Sequence, residues 1–146
     1  MNNTYWKNIG NELCVVFVSM RSSFSPRKIV DLTHSFDRNK RSLKQCFVLT
    51  AGHAPCYALA EQDAHIMLAG HTHGGQIHIP FFGPLFNFTK GLPRLWSSGE
   101  HKLPNGSILI VSKGTGMERG IAPRVRFNCK PDFLIIDIVP DMQFKK

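Results

Sequence analysis

No apolar run in the 146-residue sequence approaches the length of about 18 residues that a membrane-spanning helix needs. The first residues, "MNNTYWKNIGNE", lack the basic-then-apolar layout of a signal peptide. Cysteine is sparse. Cys14, Cys46, Cys56 and Cys129 show no C-x-x-C spacing, and Cys14 and Cys46 sit in apolar runs where a thiol behaves as a small hydrophobe. From these absences we expect a soluble chain that is not exported, in a reducing compartment, the cytoplasm. Acidic residues are few: 10 Asp and Glu against 18 Lys and Arg, a formal net charge of +8. That balance favours anionic partners, although basic residues spread along the chain also describe a plain solvated surface. There is no basic-aromatic motif of the kind that binds nucleic acid, so nucleic acid is not an expected partner. Internal repeats and low-complexity segments are absent as well.

What remains is a chain with 42% hydrophobic and 19% charged residues, the composition of one domain with a core. "LCVVFV" (13–18), "CFVLTA" (46–51) and "HIMLA" (65–69) read as apolar strands, and "SILIVSKGTG" (107–116) as a strong strand entering a glycine turn. Ser25 can cap a helix that starts at Pro26 and places Ile29, Val30, Leu32 and Phe36 roughly on one face. "PCYALAEQDA" reads as a short helix, "MERGIAPRVRF" as a loop and a short strand, and "DFLIIDIV" (132–139) as the last strand. Residues 80–106 are rich in proline and aromatics and read as mostly irregular, a stretch long enough to suggest function. The β-α-β-α-β pattern followed by more strand predicts an α/β sandwich rather than a doubly wound nucleotide-binding fold.

The informative segment is "IMLAGHTHGGQIHIP" (66–80). In an extended backbone, side chains at i and i+2 point the same way, so His71 and His73 are expected to project together from the strand end. Gly70, Gly74 and Gly75 allow sharp turns and close approach. Imidazoles held together at a strand end suit a divalent transition metal. "CFVLTAGHAP" repeats the construction: strand, glycine, then His53. If the two strands are neighbours, His53, His71 and His73 converge at one sheet edge. His34, His65 and His101, each isolated, read as solvated or capping residues. His78 alternates with Ile77 and Ile79 and reads as lying on the exposed face of a strand.

"AGHTHGGQI" resembles the Gly-His-x-His metal motif of the calcineurin-like metallophosphoesterases, and "LTAGHAP" resembles the single-His motif that precedes it. The tail "GPLF…LPRLWSSGEH…LIVSKGTGMERGIAPRVRFNCKPDFLIIDI" resembles a bacterial branch of membrane-associated phosphodiesterases and UDP-diacylglucosamine pyrophosphatases of lipid A synthesis. Residues 1–146 then form a single C-terminal portion of such a domain, strongly matched over 44–139 and weakly over 1–43, with 140–146 as a tail. The implied fold is a partial α/β/β/α sandwich with mixed sheets. The implied activity is metal-dependent hydrolysis of phosphoester or pyrophosphate bonds. The family holds two divalent ions, Mn or Zn/Fe, and by resemblance His53 and His71 bind one and His73 the other. Arg119 and Arg124 are candidates to meet substrate phosphates, with a surface role equally open. Phe81, Phe82, Phe86 and Phe88 lie in "IPFFGPLFNF", which either fills a core or forms an apolar wall for a lipid-linked substrate and peripheral contact with the inner membrane.

The family's Asp-x-His, Gly-Asp-x-x-Asp and Gly-Asn-His-Asp/Glu motifs are missing. "DAH" (Asp63–His65) precedes a strand, and "GNE" (Gly10–Glu12) lacks the histidine, so neither replaces them. Three histidines supply no negative charge, and a dinuclear site needs carboxylates. The chain alone is therefore expected to hold at most one ion. It reads as the C-terminal half of a longer phosphoesterase, a split or truncated product whose partner is the missing N-terminal half. The competing reading is a catalytically inactive remnant.

Overall fold

The computed structural model describes residues 5–9, 13–18, 20, 47–55, 64–87, 89, 92–118, 120 and 123–139. The helix expected from Ser25 and most of the one expected over 55–64 lie outside these residues, as do His34, Phe88 and Arg119.

Six strands make one mixed sheet: β1 (Tyr5–Ile9), β2 (Leu13–Val18), β3 (Phe47–Gly52), β4 (Ile66–Ala69), β7 (Gly99–Lys102) and β8 (Ile108–Val111), in the order β1-β2-β3-β4-β8-β7. The four inner strands β2, β3, β4 and β8 run parallel to one another. They are the apolar runs expected from the sequence: each is flanked by a strand on both edges, with one face buried and the other mostly half-buried. The outer strands β1 and β7 are antiparallel to their neighbours. β7, "GEHK", is mostly exposed and falls in the stretch expected to be irregular. A polar edge strand faces water and carries no hydrophobic pattern to find it by. A two-stranded ribbon, β5 (His78–Ile79) and β6 (Gly83–Pro84), stands apart from the sheet. The architecture is that of a partial α/β fold with a mixed sheet. The described residues include two 3-10 turns, His73–Gly75 and Arg94–Ser97, and among them no helix is long and apolar enough to cross a membrane.

The core lies on one face of the sheet. Cys14, Val16 and Val18 of β2, Val48 of β3, Met67 and Ala69 of β4, and Leu109 and Val111 of β8 pack together with Leu103, and Trp96 leans against them. Each fully buried Leu or Met there contributes about 1.5–3 kcal/mol relative to exposure. On the other face Leu68 and Ile110 line an open groove with Phe133, Leu134 and Ile136.

The expected strand over 132–139 is not formed. These residues run beside the groove without ladder pairing, and Phe133, Ile135 and Val139 are exposed. An apolar run alone does not make a strand, because each N–H and C=O needs a partner backbone. The short strand expected within 117–127 reduces to one bridge, Ile77 to Phe127.

Candidate functional site

Parallel pairing brings the C-terminal ends of β3, β4 and β8 to one sheet edge, where open α/β sheets build their sites. The ladder continues past the strands: Gly70 N donates to His53 O at 3.1 Å, and Ser112 N donates to Ala69 O at 2.9 Å. His53, the glycine-histidine segment and the turn after β8 are therefore held side by side.

The His53 and His71 rings meet at this edge. Nε2 of His53 is 3.1 Å from Nδ1 of His71, and the ring centroids are 4.7 Å apart with a tilt of 47°. The chain does not stay extended through this segment, contrary to expectation. His71 has φ 67°, Thr72 is right-handed helical, and His73 has φ 48° as it opens a 3-10 turn. Gln76, at φ 54°, is a third left-handed non-glycine within six residues. Such positions are strained by about 1–3 kcal/mol each and persist where the surroundings over-determine them.

Several contacts supply that constraint. Thr72 is buried and its Oγ1 donates to Ser97 O at 2.5 Å. Gln76, wholly buried, donates from Nε2 to Pro123 O at 2.8 Å, and its Oε1 accepts from Glu118 N. A Cβ at Gly74 would lie 2.8 Å from Lys113 Cγ and 2.9 Å from Cys129 Sγ, and one at Gly75 would lie 2.5 Å from Phe86 O. The glycines are thus required by close packing as much as by the turn.

His73 has different neighbours. Its ring lies near Gly116, where an added Cβ would be 3.5 Å from Cε1. Burial lowers its pKa, the Arg126 guanidinium lowers it further, and His53 adds a weaker push; Glu118 and the Gly116 carbonyl oppose these. The result favours the neutral ring, the form that ligates metal.

The remaining sites sort as follows. His78 is half-buried, and its Nε2 pairs with Gly74 O at 2.6 Å, so it braces the turn instead of facing solvent. His65 accepts from Val48 N at Nδ1 (2.9 Å) and stacks on Phe47, a capping role. His101 pairs with Ser98 O at 2.9 Å and stacks on Trp96. Arg124 is exposed. Phe81 and Phe82 are exposed at the tip of the β5–β6 ribbon, with Arg94 stacked 3.8 Å over the Phe82 ring. Phe86 is half-buried at the ribbon's base. Arg126 and Gln76 escaped the sequence reading. Gln76 follows the glycines with no distinguishing pattern, and nothing in "RVRF" tells which arginine turns inward.

No family model matches the chain, and no solved structure does. Among curated proteins, a Bacillus subtilis (strain 168) protein described as the uncharacterized metallophosphoesterase YkuE is 34% identical over 94 residues. The match takes in 63% of this chain and 31% of the relative, so the chain corresponds to about a third of that protein's length. This similarity supports the metallophosphoesterase superfamily. It does not reach to the lipid A branch.

A metallophosphoesterase implies divalent metal, and the residues can be tested for it. Two nitrogens that are each about 2.0–2.1 Å from one ion lie roughly 3 Å apart at tetrahedral or octahedral angles. The 3.1 Å between His53 and His71 fits that spacing. Among the described residues, however, no group of three or more His, Cys, Asp or Glu is placed to hold an ion. The pair fits two positions around one metal and does not complete a dinuclear centre.

Proposed function

We propose that the chain carries the histidine half of a metal-dependent phosphoester or phosphoanhydride hydrolase. The observation that carries this reading is the His53–His71 pair, nitrogen to nitrogen at 3.1 Å, at the C-terminal edge of a parallel sheet. His53 and His71 would share one ion, and His73, kept neutral, would serve a second. A bound divalent ion such as manganese would polarise a phosphoryl oxygen and acidify a bound water. The chain's own residues fix the imidazoles and keep the edge open. The carboxylates would come from outside the described residues or from a partner polypeptide. The finer reading is a lipid-linked phosphate ester at the inner membrane face. It is supported by exposed Phe81 and Phe82 beside Arg94 and by the +8 charge.

One observation favours a second reading, a non-catalytic remnant that binds at most one ion: no carboxylate joins the histidine pair among the described residues. The test is Mn²⁺-dependent hydrolysis of bis(p-nitrophenyl) phosphate. The chain would be assayed alone and mixed with a polypeptide bearing the Asp-x-His and Gly-Asp-x-x-Asp motifs. The hydrolase reading expects negligible turnover alone and partial turnover on mixing, lost in His71→Ala. No turnover in the mixture would favour the remnant.

A further inference from the structure

We propose that Arg126 is a positioning residue for His73, acting through the His73 carbonyl. This rests on the reading of His73 as part of the metal centre.

Arg126 is half-buried, and its guanidinium reaches three segments at once. Nη2 donates to the carbonyls of Lys113 (2.8 Å), Gly114 (2.9 Å) and Gly116 (2.6 Å). Nε also donates to Gly116 O, at 3.1 Å. Nη1 donates to His73 O at 3.3 Å and Cys129 O at 3.4 Å, with Cys129 Sγ at 3.7 Å. These acceptors are backbone carbonyls and one thiol. A guanidinium is commonly placed to meet a carboxylate or phosphate. Here its planar fork gathers carbonyl dipoles that would otherwise point at one another with too few donors.

The consequence falls on His73. Its carbonyl receives Gln76 N at 3.1 Å, Arg126 Nη1 at 3.3 Å and Cys129 Sγ at 3.6 Å. Three donors, one from the turn itself and two from the 126–129 segment, fix the orientation of the peptide that follows His73. That residue is left-handed, with φ 48°, a conformation that relaxes unless it is held. The same guanidinium fixes the 113–116 turn against which the His73 ring lies. Arg126 therefore sets both the backbone of His73 and the wall its imidazole faces. Lysine cannot reproduce this, because one ammonium cannot span acceptors on three segments in a fixed plane.

The test uses the full chain, Arg126→Lys and Arg126→Gln, with two readouts. Ring-nitrogen NMR spectra are recorded without metal, and Co²⁺ binding is then titrated. In a folded Arg126→Lys chain the His73 ring resonances should shift or broaden. Those of His65 and His101, which are held by Val48 N and Ser98 O, should stay in place. Co²⁺ affinity should stay near the wild-type value, because the one ion expected for the chain alone sits at the His53–His71 pair and not at His73. Unchanged His73 resonances in a folded variant would overturn the proposal. So would equal disturbance of all three histidines, or unfolding of both variants, since either makes Arg126 a general support of the fold. A wild-type chain that binds no Co²⁺ would count against the metal reading alone, and the His73 resonances would still decide the role of Arg126.

Discussion

Gly75 sits directly beneath the Phe86 carbonyl: a Cβ added at Gly75 would come within 2.5 Å of that oxygen and 2.7 Å of Pro84 Cβ. The glycine-histidine turn and the base of the aromatic ribbon are thus one packed unit. A methyl at Gly75 meets both this contact and a φ of +75°. Gly75→Ala should cost about 2–4 kcal/mol, combining left-handed backbone strain with overpacking. Gly106 shares the left-handed backbone, at φ +88°, but has open space around it. Gly106→Ala should cost only about 1–2 kcal/mol. Urea unfolding of both variants checks the difference, and equal losses would show that the Phe86 contact does not matter.

Asp132 gives a pH dependence. Burial alone would raise its pKa, but hydrogen bonds from Ser112 Oγ and the Lys113 and Gly114 amides, with the Lys113 ammonium 3.5 Å away, hold it below the usual carboxylate value. A depressed folded pKa contributes stability that is complete above the unfolded value of about 3.9 and is lost as pH falls through the folded value. Asp132→Asn should therefore be less stable than wild type by about 1–2 kcal/mol at pH 7. The gap should close on acidification below about pH 4. Denaturant midpoints across that range decide the matter, and a gap independent of pH would show that the charge contributes nothing.

The ribbon tip gives a prediction about surfaces. Phe81 is fully exposed with φ 65°, Phe82 is 52% exposed, and Arg94 packs on it. An apolar tip with a cation behind it suits an anionic bilayer, where each basic residue near the surface adds about 1 kcal/mol. The chain should co-sediment with phosphatidylglycerol vesicles, and Phe81→Ser with Phe82→Ser should bind several-fold less while remaining folded. Equal binding by both proteins would remove the support for a lipid-linked substrate.

Much of this arrangement was legible in the sequence, for definite reasons. β2, β3, β4 and β8 are inner strands, so their burial is written as apolar runs. The matching strand-glycine-histidine pattern placed His53 and His71 at one edge because parallel neighbours end together. The orientation of His73 was not legible, since the extended-chain rule fails where His71 and His73 turn left-handed. Residues 132–139 read as a strand from their apolar run, yet pairing depends on a neighbouring backbone that a local pattern does not reveal. Arg126 was hidden because its partners are carbonyls of residues 73, 113, 114, 116 and 129. Carbonyls are common to every residue and leave no mark in a sequence.

The central claim is that His53 and His71 form half of a metal centre. Its most direct test is titration of the full chain with Co²⁺, followed by visible absorption and by histidine ring resonances. We expect at most one ion per chain, with the His53 and His71 rings perturbed together. Binding should fall by at least about 10-fold in His53→Ala and in His71→Ala, because each removes one of the two nitrogen ligands. His101→Ala, which alters a ring paired with Ser98 O, should bind as wild type does. No Co²⁺ binding by the wild-type chain, or undiminished binding by both His53→Ala and His71→Ala, would contradict the claim.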